Sequence, residues 1–167
     1  FSVCLSPIPV STKVSLFPSS ISKQRAAISI ILLLSAGFVL FHKTWAFHWN
    51  VVGEDFTQLH QLFGGQYETM FEEIDRLSEH MRYLNVKPLS SLSRMLEVTQ
   101  IKETASSTGA REMLQELLEN NTKFCDLMAE ISEESENQKS YATANLVQDL
   151  MESHGKFVWM LRSYLKE

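Results

Sequence analysis

"EDFTQLHQLFGGQYETMFEEIDRLSEHMRY", residues 54–83, places Phe56, Leu59, Phe63, Tyr67, Met70, Phe71, Ile74, Leu77 and Met81 largely at steps of three and four. That period belongs to one face of an α-helix and excludes a half-buried strand, which would alternate every second residue. Gly64 and Gly65 fall mid-stretch and are read as interrupting the helix, at about 1 kcal/mol each relative to alanine. The same reading extends outward. Residues 22–48 are a long apolar stretch, and "NVKPLSS" (85–91) is a break. A short helix is expected over 91–98 and long ones near 109–134 and 138–165. No alternating pattern occurs anywhere. Four long helices with a small one between the second and third predict an all-α four-helix bundle.

With 167 residues, the chain is long enough for one well-buried domain. Residues 1–21, with Pro7, Pro9 and Pro18, read as an irregular, weakly basic arm, and 22–167 as the bundle domain. Of the net charge of −5, residues 1–53 contribute +4 and the remainder −9. An acidic body suits cations and does not by itself hold nucleic acid, whose phosphates are bound through Lys and Arg. Cys4 and Cys125 form no close-spaced pair, which argues against a thiolate metal site and for a reducing, cytoplasmic setting. Residues 26–41 are sixteen without a charge, behind Lys23 and Arg25, whereas a membrane span needs about 20. A buried first helix is favoured over a membrane anchor.

Chemistry must come from carboxylates and imidazoles. The Glu-x-x-His repeat of di-iron bundles is absent: Glu152 and His154 are two apart, and Glu79 and His80 adjacent, so an intra-bundle di-iron site is disfavoured. HExxH, Walker and GxSxG signatures are also missing. What remains is His48, His60, Asp75 and Glu79. Asp75 and Glu79, four apart, share a helix face. His60 lies 15 residues upstream of Asp75, roughly 22 Å along a helix axis at ~1.5 Å per residue. One ion cannot touch both within a chain. The set therefore has separate roles, or it meets across a two-fold interface. The plain alternative is a core histidine beside aromatics and an ordinary solvated acidic face.

The stretch "KTWAFHWNVVGEDFTQLHQLFGGQYETMFEEIDRLSEHMRYL" (43–84) resembles the Dps family of ferritin-like mini-ferritins. The resemblance rests on Phe-His-Trp-Asn followed by Val-x-Gly, a second His twelve residues after the first, Asp-x-x-x-Glu further along, and "VKPLSSL". The ending "HGKFVWMLRSYL" is also similar. It implies a ferritin-like bundle assembled as a homo-dodecameric shell. Iron would bind at each two-fold interface, to His48 and His60 of one subunit and Asp75 and Glu79 of the next, with Trp49 close by. It further implies Fe(II) oxidation by hydrogen peroxide and storage of ferric mineral. Glu130, Glu133, Glu134 and Glu136 are candidates for pore or cavity carboxylates, against the plainer reading of a solvated helix end.

The departures matter too. Gly64 stands where the family usually has an iron-holding carboxylate, so a second iron should bind weakly or not at all. Gly65 and Gly155 replace common Glu positions, and "LSAGFVL" (34–40) replaces a more acidic stretch. A less stable protomer, more dependent on assembly, is expected. DNA binding in the family uses basic tails, and here the arm offers only Lys13, Lys23 and Arg25 in its first 27 residues. The rival function is a shell with impaired ferroxidase activity that shields DNA non-specifically, associated with the nucleoid.

Overall fold

The computed structural model describes residues 20–104 and 109–166. The expected arm falls almost wholly outside them. Five helices follow one another: α1 (Ser20–Asn50), α2 (Phe56–Tyr83), α3 (Leu92–Val98), α4 (Ala110–Asn137) and α5 (Tyr141–Leu165). Among the described residues there is no strand. α1 pairs with α2 and α4 with α5, and α1 also packs on α4 and on the short α3. The four long helices form the bundle, with α3 in the connection between its second and third members.

α1 is long and apolar enough to cross a membrane by length and composition. Its apolar face is the centre of the core: Ile30, Leu33, Leu34 and Leu40 are fully buried with Leu59, Phe63, Met70, Leu77, Leu117 and Met128. Burial of such side chains contributes about 1.5–3 kcal/mol each before the cost of ordering the chain. At Gly37 the Phe124 ring packs on α1, an added Cβ standing 3.5 Å from it in ordinary contact. Lys43 on α1 is buried too, its Nζ held at 2.6 Å by Glu116 of α4, which also accepts a hydrogen bond from Thr104.

The expected interruption at Gly64 and Gly65 does not occur, since α2 runs unbroken through both. Phe63, fully buried in the core, anchors that turn, so packing outweighs the local propensity. The "NVKPLSS" break begins at Asn85, in the left-handed region at φ 64°. Val86 N–H reaches Met81 O at 2.9 Å and Asn85 N–H reaches Arg82 O at 2.9 Å, the paired closure that ends helices on a left-handed residue. Lys139, at φ 58°, ends α4 in the same way.

Candidate metal centre

His48 sits in the last turn of α1 and His60 near the start of α2, brought together by the turn at Gly53, whose φ of 120° suits glycine. The rings stack at 3.7 Å between centroids with 20° between planes. His48 Nδ1 lies 2.7 Å from His60 O, and His60 Nδ1 lies 2.8 Å from His48 O. A carbonyl oxygen only accepts, so each Nδ1 carries the proton and donates it. Each neutral ring then keeps its lone pair on Nε2, the atom that can bind a metal, and the carbonyl bond fixes ring orientation and raises basicity. The plain alternative of a histidine satisfied in the core accounts for the two Nδ1 atoms and leaves both Nε2 atoms without a described partner.

Gly64 borders this pair. A Cβ built there would meet His48 Cε1 at 3.4 Å and Nδ1 at 3.5 Å. Tyr67 approaches the His48 ring edge-to-face at 5.1 Å, and Phe56 stacks on His60 at 5.2 Å. Trp49 is 55% exposed and packs on Trp45.

Asp75 and Glu79 lie further along α2, exposed, and bond to no described residue. Within one chain they are not brought to the two histidines. Among the described residues, no three His, Cys, Asp or Glu converge as a metal site. A centre using all four residues therefore requires two chains. Glu130, Glu133, Glu134 and Glu136 are exposed near the end of α4. Of these, Glu134 accepts from Ser29 and Gln138, and Glu136 accepts from Gln148. The Cys125 thiol is pushed up to about 11, first by burial and then by Asp126 and Glu73, which suppresses the thiolate.

One polar group of the core escaped the sequence reading. His154 of α5 is 1% exposed, with Nδ1 donating to Asn121 Oδ1 at 2.7 Å and Nε2 at 3.0 Å from Glu73 Oε2. Asn121 Nδ2 donates to Leu117 O, which orients its amide so that Oδ1 faces the His154 Nδ1 donor. Helical periodicity does place Glu73 on the stripe of Phe63, Met70 and Leu77. A carboxylate on that stripe was the available signal, but its partner lies 81 residues away.

Comparison with known proteins identifies the lineage. A ferritin-like domain profile matches residues 32–167. The chain is 31% identical over 106 residues to the DNA protection during starvation protein of Brevibacillus brevis, covering 64% of this chain and 69% of that one. It is 35% identical over 89 residues to an uncharacterized low temperature-induced protein of Nostoc, covering 53% of this chain and only 50% of that relative's length. Among solved structures, a Dps protein from Vibrio cholerae superposes with a TM-score of 0.87 at 28% identity, over 95% of this chain and 100% of the other. The Dps protein from Bacillus brevis gives 0.85 at 26% identity, over 89% and 99%. With the bundle, the inserted α3 and these matches in hand, the chain belongs to the Dps family of ferritin-like proteins.

Proposed function

We propose that this chain binds Fe(II) between two antiparallel copies, oxidises it with hydrogen peroxide and stores the ferric product inside a shell of twelve identical subunits. The observation that carries this reading is the reciprocal bonding of His48 and His60. It spends both Nδ1 protons internally and leaves two Nε2 lone pairs in one place. Imidazole suits Fe(II), while the carboxylates of Asp75 and Glu79 from the facing copy favour the harder Fe(III), so the mixed set can take up the ion and let it be oxidised. An acidic body draws Fe(II) towards the shell.

Exposed apolar groups fit burial against a second copy: Trp49 and Phe56 beside the histidines, and others further along. Half-buried Phe41 touches Trp45 and the exposed Phe71. It also lines a cavity of about 340 Å³ with the exposed Leu92 and Leu96. Patches of this kind mark contact surfaces.

The second reading, a shell that chiefly shields DNA in the cytoplasm, is favoured by Gly64, which offers no donor beside His48, and by the name of the Brevibacillus relative. Its affinity would fall steeply with salt. Subunit complementation tests the shared site. Chains carrying His48→Ala and His60→Ala, co-assembled with chains carrying Asp75→Ala and Glu79→Ala, should regain the Fe(II) oxidation that each lacks alone. Failure of the mixture to recover would contradict a site built from two chains.

A further inference from the structure

Glu73, Asn121 and His154 meet in the middle of the bundle, from α2, α4 and α5. Their exposures within one chain are 5%, 0% and 1%, so no second copy reaches them. The hydrogen bonds fix what each atom presents to the next. Leu117 O takes the Asn121 Nδ2 proton at 2.8 Å, which turns Oδ1 towards His154. An amide oxygen only accepts, so His154 Nδ1, 2.7 Å away, carries a proton. A neutral ring then has its lone pair on Nε2, and Nε2 faces Glu73 Oε2 at 3.0 Å. A lone pair and a carboxylate oxygen do not rest against each other with nothing positive at hand. In the free chain that role falls to a proton.

The second carboxylate oxygen is the unexplained atom. Glu73 Oε1 is buried and has no hydrogen-bond partner, which a buried acceptor ordinarily finds. Glu73 and His154 also line a pocket of about 10 Å³, walled by Gly37, Met70, Leu77 and Phe124. That is roughly the room one water molecule takes. Phe124 and Phe157 meet the His154 ring edge to face at 4.6 and 5.3 Å, which holds the imidazole in this orientation.

We propose that Glu73 and His154 hold a single divalent ion of the zinc type inside each chain, at a place that shares no ligand with the site between two chains. Three donor atoms converge there: His154 Nε2 and both oxygens of Glu73. Two ligands at ~2.0–2.1 Å from one ion, subtending roughly 95°, stand about 3 Å apart. The 3.0 Å between Nε2 and Oε2 matches that separation without any movement of the chain. The ion takes the place of the proton and also gives Oε1 the partner it lacks. His154 is already supported as metal-bound imidazoles are, its far N–H donated to a fixed oxygen. One nitrogen and two carboxylate oxygens suit zinc, which accepts few ligands, with a water in the pocket as fourth donor. Only two residues supply ligands, so among the described residues no group of three His, Cys, Asp or Glu marks the place.

The test uses the full chain carrying His48→Ala and Asp75→Ala, which removes the shared site. The protein is refolded from urea with Co(II), an optical stand-in for Zn(II), because a site this deep fills as the chain folds. Loosely held metal is then stripped with a chelator. The expected result is one Co(II) per chain, retained for hours, with the visible absorption of a low-coordinate ion. Zn(II) in place of Co(II) should raise the melting temperature above that of the metal-free form. Glu73→Gln, added to the same chain, keeps the core satisfied, since its amide N–H can donate to the Nε2 lone pair. It should fold, and it should lose both the retained Co(II) and the shift in melting temperature. Crystals of the unsubstituted protein refolded with Zn(II) should show anomalous scattering between residues 73 and 154. Metal removed at once by the chelator, equal retention by Glu73→Gln, or no anomalous signal at that place overturns the proposal. None of these results bears on Fe(II) at His48 and Asp75, so the two readings fail separately.

Discussion

His48 and His60 hold each other face to face at 3.7 Å, each donating its Nδ1–H to the other's main-chain carbonyl. This closure ties the end of α1 to the start of α2 and at the same time orients the two Nε2 atoms that the proposed function gives to iron.

The tie and the metal role can be separated. His60→Ala removes one hydrogen bond and the ring stack, and should cost about 1–2 kcal/mol. His60→Phe should keep much of the stacking yet still lose Fe(II). Urea unfolding and metal titration on the two variants would show this. Equal Fe(II) binding in both and in the parent would contradict the assignment of His60.

Gly65 and Gly155 sit inside helices with nothing within 4 Å of an added Cβ. Gly65→Ala and Gly155→Ala should therefore each stabilise by about 0.5–1 kcal/mol, seen as a higher melting temperature. Gly64→Asp is a different case, since its Cβ meets the His48 ring at 3.4 Å. It should raise the iron bound per chain by placing a carboxylate beside His48.

The buried Glu73–His154 pair should behave asymmetrically. His154→Ala leaves the Glu73 carboxylate, 5% exposed and with Oε1 already without a partner, alone in the core. A loss on the order of 3 kcal/mol is expected. Replacing both residues, Glu73→Met with His154→Leu, should cost far less. Calorimetry on the single and double variants decides the point.

The expected pH response follows from His80, which burial holds below the ordinary 6.5 and whose Nε2 lies 2.9 Å from Thr143 Oγ1. The unfolded chain takes up a proton near pH 6.5 while the folded chain resists it. Stability should therefore be full above that pH and fall as the pH drops through it towards the lower folded value. His80→Gln should flatten this part of the profile in urea titrations between about pH 7.5 and 5.5.

The periodicity of Phe56 to Met81 was enough to recognise α2, and the spacing of His60 and Asp75 was enough to show that one chain could not bring them together. The glycine pair misled because helix propensity is local, whereas Phe63 is held by core residues distant in the chain, Phe47 among them. The break at Asn85 was legible, and asparagine is a usual left-handed helix end; Lys139, the left-handed end of α4, was invisible because lysine carries no such signal. The Glu73–His154–Asn121 group lay hidden for a different reason. Its members come from three helices, and no short motif joins them.

The most direct measurement is an anaerobic Fe(II) titration of the assembled protein, followed by a peroxide pulse. The account predicts saturation near one iron per chain, lost on His48→Ala and on Asp75→Ala alike, with prompt oxidation of the bound ion. An intact assembly that shows no saturable Fe(II), or that binds it equally well without these residues, would contradict it.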